Sequence, residues 1–267
     1  MSMDLHMLKS QARDRIARAK PRPVVAGIYF VLIAVAISFL SLKLLGNGNE
    51  IIMEKYFSID SSDFNYSEFI ENFDYDAYMN DIVKYQPSAT ARLLRAALSL
   101  MSITITAGFI IFCLNTLRGK EDASYWNLFD GFSIFGRVLL LYIMEAVFMF
   151  LWAMLFIFPA FIAYYRYSQA IYLLIDHPEM NPYECIQESS RIMRGHKWER
   201  FSLDLSFIGW FLLMALLSTL GGFIGLSFLG TLLGIWVYPF YHLTAAGYYR
   251  NLINDDLPDN DGWVPEV

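Results

Sequence analysis

The chain of 267 residues is 56% hydrophobic and only 17% charged, with a mean hydropathy of +0.39. A soluble domain runs at roughly 45–50% apolar and about 25% charged, and here the apolar residues fall in unbroken blocks, not amphipathic stripes. A formal charge of −6 argues against nucleic acid as a partner, and two cysteines with four scattered histidines supply no metal set and point to no cofactor.

In chain order, residues 1–23 form a basic segment, with Lys9, Arg13, Arg15, Arg18, Lys20 and Arg22 set against Asp4 and Asp14. Leu5, Leu8, Ala12, Ile16 and Ala19 fall near helical spacing. That spacing predicts a short amphipathic helix lying on the membrane, ended by Pro21 and Pro23. Residues 24–45 form the first block long enough to span, since about 20 apolar residues rising about 1.5 Å each cross about 30 Å of hydrocarbon. The block is longer than the core of a signal peptide and no small-x-small cleavage site follows it, so it reads as an uncleaved helix.

Residues 46–89 read as a polar loop in which Glu50, Glu54, Asp60, Asp63, Glu68, Glu71, Asp74, Asp76 and Asp81 alternate with aromatics. The aromatics are Phe57, Phe64, Tyr66, Phe69, Phe73, Tyr75, Tyr78 and Tyr85. Cytoplasmic loops gather Lys and Arg, so this loop is expected outside and the basic N-terminal segment inside. A second span over 93–117 returns to Arg118 and Lys120, with Arg92 and Arg95 at its outer end snorkelling or pairing with the acidic loop. Residues 125–137 hold Trp126, Phe129, Phe132 and Phe135, which suits an interfacial helix before a third span over 138–158 that stops at Pro159. A shorter fourth span covers 160–175.

Residues 176–200 are polar and expected in the cytoplasm. Asn181 fits an N-cap, Pro182 the first helical position, Glu184 a variant capping box and Gly195 a C-terminal stop. These signals predict a helix over 182–194 with Tyr183, Ile186 and Met193 on one side. A fifth span begins near Phe201, turns between Gly221 and Gly225, and leads to a sixth ending near Tyr248. The tail 251–267 is acidic through Asp255, Asp256, Asp259, Asp261 and Glu266. The fold class is therefore all-α: a polytopic membrane helix bundle of about six transmembrane helices over 24–250, both termini cytoplasmic, in the cell (plasma) membrane. Cys113 and Cys185 are expected as free thiols near the cytoplasmic side.

The stretch Asp176-His-Pro-Glu179, then Glu188-Ser-Ser-Arg-Ile-Met-Arg-Gly-His-Lys-Trp198 and Phe201-Ser-Leu-Asp-Leu-Ser-Phe-Ile-Gly-Trp210, resembles a bacterial integral-membrane family. That family, mostly from Gram-positive organisms, is catalogued as a domain of unknown function (number nine-seven-five). Leu128-Phe-Asp-Gly-Phe132, Pro239 through Thr244 to Tyr249-Arg-Asn-Leu252, and Leu8-Lys-Ser-Gln-Ala-Arg13 carry the same likeness. More loosely, the chain is similar to the membrane domain of bacterial glycerophosphodiester phosphodiesterases, which shares the Ser-Arg…Gly…Trp helix ending. The resemblance implies the six-helix topology and no particular activity.

Ionisable residues at membrane depth invite functional readings. Glu145 in the third span and Arg166 in the fourth read either as a proton or substrate relay or as a structural ion pair. Asp204 and His242 read as a titratable interfacial pair or as a plain hydrogen bond. Arg191, Arg194, Lys197 and Trp198, with His196 and Arg200, read as a contact for anionic headgroups or as a positive-inside anchor with Trp198 in the aromatic belt. Gly221, Gly225, Gly230 and Gly234 give two spacings that permit close helix approach, and Pro159 and Pro239 are expected to kink their helices. No phosphate-cradling loop, zinc-protease or nucleophile-elbow signature is present, which points away from an enzyme. The leading expectation is a membrane protein that acts by association with other membrane or envelope components; its expected partners are the lipid bilayer, anionic lipids on the cytoplasmic face, and a membrane-protein partner or a second copy. The alternative is a small transporter or channel with a polar path near Glu145 and Arg166.

Overall fold

The computed structural model describes residues 5–46, 48–57, 69–71, 73–119, 123–223 and 229–256. Asp4, Asp60, Asp63, Phe64, Tyr66, Glu68, Lys120, Gly225, Asp259, Asp261 and Glu266 lie outside the described residues. In chain order the helices are α1 (Leu5–Arg18), α2 (Pro23–Leu45), α3 (Gly48–Phe57), α4 (Tyr75–Lys84), α5 (Ala89–Arg118) and α6 (Asn127–Asp130). There follow α7 (Phe135–Leu155), α8 (Ile157–Tyr167), α9 (Ala170–Asp176), α10 (Pro182–Ile192), α11 (Lys197–Phe223) and α12 (Leu229–Asp256). No strand occurs among the described residues. Four segments are long and apolar enough to cross a bilayer: Pro23–Leu44, Ala89–Arg118, Phe135–Leu155 and Lys197–Gly221. The 28-residue α12 is not among them; its middle carries Tyr238, Tyr241 and His242 beside Pro239.

The chain divides into two compact units, one of Met1–Ile33 with Ile103–Val267, the other of Ala34–Ser102. In the first, α12 is the central element, burying Phe240, Leu243, Ala246, Tyr248 and Tyr249 against α1, α10 and α11. The apolar side of α1 packs on protein. Leu8 and Ala12 are buried against the bundle, and Lys9 and Arg13 sit over the rings of Phe207 and Phe240. A two-residue stripe fits a protein groove as well as a lipid interface, and the spacing alone does not distinguish them.

Two glycines set the next contact. A Cβ on Gly108 would lie 2.0 Å from the Leu128 carbonyl oxygen, and one on Gly131 would lie 2.1 Å from that of Thr104. The backbone of α5 therefore touches the backbone around α6 with no side chain between. The interfacial helix expected over 125–137 shrinks to the single turn of α6, with Leu128 buried and Trp126 exposed. The Gly230 spacing serves α11 and α12 in the same way, since its Cβ would meet the Met214 carbonyl oxygen at 2.2 Å.

Two expected spans change shape. The third ends at Phe156, whose extended backbone (φ −161°, ψ 149°) breaks the chain three residues before Pro159. Pro159 falls in the first turn of α8, where a missing N–H costs no intrahelical bond. The fourth span is two helices in series, 11 residues of α8 and 7 of α9, interrupted at Ser168 and Gln169. A buried serine of α10 closes that interruption: the Gln169 N–H donates to Ser189 Oγ at 3.1 Å, and the Ser189 hydroxyl donates to the Arg166 carbonyl at 2.9 Å. Hydroxyl side chains commonly re-satisfy broken membrane helices in this way.

The expected capping box is present on α10. Asn181 Oδ1 accepts from the Glu184 N–H at 2.9 Å, and Glu184 Oε2 accepts from the Asn181 N–H at 2.8 Å. Gly195, at φ +85°, takes the left-handed conformation that stops the chain before α11. The apolar side of α10 packs on protein and not on lipid: Cys185, Ile186, Ser189 and Ile192 are buried, with α7, α8, α9 and α12 as neighbours. Cys113 and Cys185 are both free and buried.

In the second unit, the described parts of the 46–89 segment are helical, where a loop was expected. Asp74 caps α4 by accepting from the Ala77 N–H at 2.9 Å. Tyr56, Phe57, Phe73 and Tyr78 then gather edge to edge, with centroids 5.2 Å apart for Tyr56 and Tyr78 and 5.3 Å for Phe73 and Tyr78. Asp81 on α4 accepts from Lys55 Nζ and from the Tyr56 hydroxyl on α3. Phe57, Phe73 and Tyr78, three of the aromatics interleaved with charge, thus meet in the seam of a small helical pair.

Candidate functional site

A cavity of about 610 Å3 opens in the first unit between α5, α7, α8, α9, α11 and α12. Thr106, Tyr142, Glu145, Tyr164, Tyr167, Tyr172, Arg200, Tyr241 and His242 border it. Glu145 stands at the midpoint of α7 and His242 near that of α12, while Arg200 is the fourth residue of α11. Tyrosines dominate the wall because α7, α8, α9 and α12 each bring one or two to it. Such rings offer an apolar face and a polar tip.

Arg200 anchors the polar side. It is only 5% exposed, and its Nη2 donates to the Tyr241 hydroxyl at 3.0 Å, which in turn donates to Asp204 Oδ1 at 3.0 Å. Asp204, one turn further along α11, also lies 3.4 Å from the guanidinium. Arg200 Nε and Nη1 and His242 Nδ1 are buried without a hydrogen-bond partner. The His242 ring meets Phe109 and Tyr241 edge-on at 5.3 Å.

The residues singled out from sequence are thus partly brought together. Glu145 and His242 share one cavity. Asp204 meets Arg200 and Tyr241, not His242. Arg166 does not border the cavity, and no ion pair joins it to Glu145 among the described residues. Arg166 lies in the last turn of α8, with its carbonyl held by Ser189. Sequence reasoning put Arg200 in a surface basic cluster. The signal that separates it is Asp204 four residues on, which puts both on one helix face.

The rest of that cluster is at the surface. Arg191 donates to both carboxylate oxygens of Glu188, at 2.9 and 2.5 Å, and holds that carboxyl below its ordinary range. Arg194 is exposed. Trp198 is 73% exposed and lies 5.0 Å from the Phe201 ring. Lys197 and Trp198 border a shallow groove of about 330 Å3 with Phe158, Phe161 and Tyr165. Among the described residues, no group of His, Cys, Asp and Glu could hold a metal ion.

Residues 155–256 match the family described as Protein of unknown function (DUF975). The match takes in α8 to α12, so Arg200, Tyr241, His242 and the Ser189 closure fall within it, whereas Thr106, Tyr142 and Glu145 lie before the matched residues. No curated protein and no solved structure matches the chain.

Proposed function

We propose that this is a multi-pass membrane protein that takes a small solute into the tyrosine-lined cavity, in the manner of a small transporter. The observation that carries this reading is the cavity, about 610 Å3 with Glu145, Arg200 and His242 on its wall. A bundle that served only as a scaffold would be expected to fill its interior at native packing density with apolar side chains. Ionisable groups on membrane helices are expensive and mark solute or ion paths by default. In this reading α12 and the α8–α9 series complete six crossings with the four long apolar segments. The charge asymmetry then sets both termini and residues 176–200 in the cytoplasm, residues 46–89 outside, and the protein in the plasma membrane. Association with another membrane component is the second reading, favoured by the ring cluster of α3 and α4 in a separate compact unit.

The test is access of water. Only a thiolate reacts with a charged methanethiosulfonate reagent, and a thiol in apolar surroundings stays protonated. In protein reconstituted into liposomes, Ala146→Cys borders the cavity, and Val147→Cys, at a 51% exposed position on the outer side of α7, is the control. Labelling at 146 at least about tenfold faster than at 147 is expected. Equal, slow labelling at both would leave the interior dry and favour association.

A further inference from the structure

Charge on the cavity wall is unevenly available. Arg200 is drawn to Asp204 at 3.4 Å and donates to the Tyr241 hydroxyl at 3.0 Å. Its Nε and Nη1, like His242 Nδ1, are sealed even from a molecule the size of water. Neither basic group therefore offers these nitrogens to the cavity. Glu145 differs. It shares a face of α7 with the buried Val138 and Leu141, at the three- and four-residue spacing of an inward stripe, and it borders the cavity together with Tyr142 and Met149 of that face. No ion pair or hydrogen bond engages its carboxylate among the described residues, and its oxygens are not sealed. The Tyr142 and Tyr164 hydroxyls lie within electrostatic reach of it.

A carboxylate on a membrane helix is costly while its charge is unmatched, and the wall supplies no match. A hard metal ion takes about six or more oxygen ligands, and no group of His, Cys, Asp and Glu among the described residues could hold one. An anion or a zwitterion would bring a negative group that no reachable basic nitrogen receives. An organic cation suits the wall better, because Tyr142, Tyr164 and Tyr167 border the same space and aromatic rings attract ammonium groups. Tyr167 is already fixed: its hydroxyl accepts from the Trp152 indole N–H at 3.3 Å, and its ring meets that of Phe148 at 6.1 Å. We infer that the cavity takes a monovalent organic cation, with its positive end toward the Glu145 carboxylate and its apolar body among Tyr142, Tyr164 and Tyr167. The volume of about 610 Å3 leaves room for a body of one or more rings. The inference rests on the solute-cavity reading and adds the sign of the ligand's charge to it.

The experiment uses the Ala146→Cys protein in liposomes and measures how an added solute slows labelling, each rate being read against the same protein without solute. Benzyltrimethylammonium carries a permanent positive charge. N,N-dimethylbenzamide is a neutral counterpart of similar size, and phenylacetate an anionic one. Half-protection by the cation is expected at a concentration at least about tenfold below that of either counterpart, and potassium chloride at equal ionic strength should give none. Glu145→Gln, which keeps the side-chain size, should bring the cation to within about threefold of the neutral compound. The solutes are compared first with Glu145 in place, so the result decides the matter even if Glu145→Gln does not fold. Equal protection by all three solutes, no protection by the cation, or a preference that survives Glu145→Gln would overturn the inference. Potassium chloride that protects as well as the organic cation would overturn it too. No labelling at position 146 without solute would instead overturn the cavity reading beneath it.

Discussion

The two compact units are held together by different means. In the unit of Met1–Ile33 with Ile103–Val267, backbones touch where side chains are missing: Gly108 and Gly131 allow α5 and the chain around α6 to meet at distances a Cβ cannot occupy. In the Ala34–Ser102 unit, α3 and α4 meet through Tyr56, Phe57, Phe73 and Tyr78 and through Lys55, Tyr56 and Asp81. Close backbone contact is unforgiving, because nothing in it can rotate away. Contact through rings on a partly exposed surface is adjustable, because each ring makes only part of the seam. The first unit should therefore fail as a whole when one small residue grows, and the second should lose stability by degrees.

Gly131→Val is the strongest way to break that contrast. Its Cβ would lie 2.1 Å from a backbone oxygen, and overpacking against backbone costs about 3 kcal/mol or more. The expected outcome in a detergent melting assay is loss of folded protein or a large fall in Tm. A near-native Tm would mean that α6 can draw back freely and that the close approach is incidental.

Phe73→Ala tests the other side. Phe73 is half-buried among rings, so its truncation should cost about 1–2 kcal/mol in that unit, less than the 3–5 typical of a fully buried phenylalanine. Protease protection of the α3–α4 pair should fall while near-ultraviolet signals from Trp210 and Trp236, whose rings lie 5.4 Å apart in the first unit, stay unchanged. Collapse of both signals together would erase the distinction between the units.

Asp81 gives the smallest effect and sharpens the comparison through pH. The hydrogen bond from Lys55, with a second from Tyr56, holds the Asp81 carboxyl below its ordinary value. A depressed carboxyl contributes stability above its unfolded pKa, near 4, and loses it as pH falls through the folded value. The α3–α4 contact should thus be insensitive from about pH 5 to 8 and weaken below about pH 4. Asp81→Asn should flatten that response. An acid transition of the same size in the variant would assign it to another group.

What the sequence made legible was local. The long apolar blocks, the Asn181-Pro182-Glu184 start and the Gly195 stop all depend on neighbours within a few residues, and each is found in the structure. What was not legible depends on distant partners. Nothing near Gln169 announces that residues 157–176 break into two helices, because the serine that makes the break tolerable is 20 residues on. Arg200 looked like one more basic residue at a helix end; Asp204 four residues on is its one local mark, and its bond to Tyr241, on another helix, is out of local reach. The α1 stripe marked the helix, but not that Leu8 and Ala12 would be buried on protein. Glu145 and Arg166 were paired by counting turns, which sets depth along a helix but not the direction in which each side chain leaves it, and only Glu145 borders the cavity.

The Ser189 closure also bears on how the protein is made. Membrane helices enter the bilayer as the chain emerges, N-terminal segments first. When residues 157–176 have emerged, the Gln169 N–H and the Arg166 carbonyl have no partner along the chain, and their partner hydroxyl has yet to be synthesised. A chain halted before residue 189 therefore holds an open polar break in that segment, and one carried past it can close the break with a single side chain. In the six-crossing reading, the α8–α9 pair is completed retroactively, only after the segment that follows it has folded back.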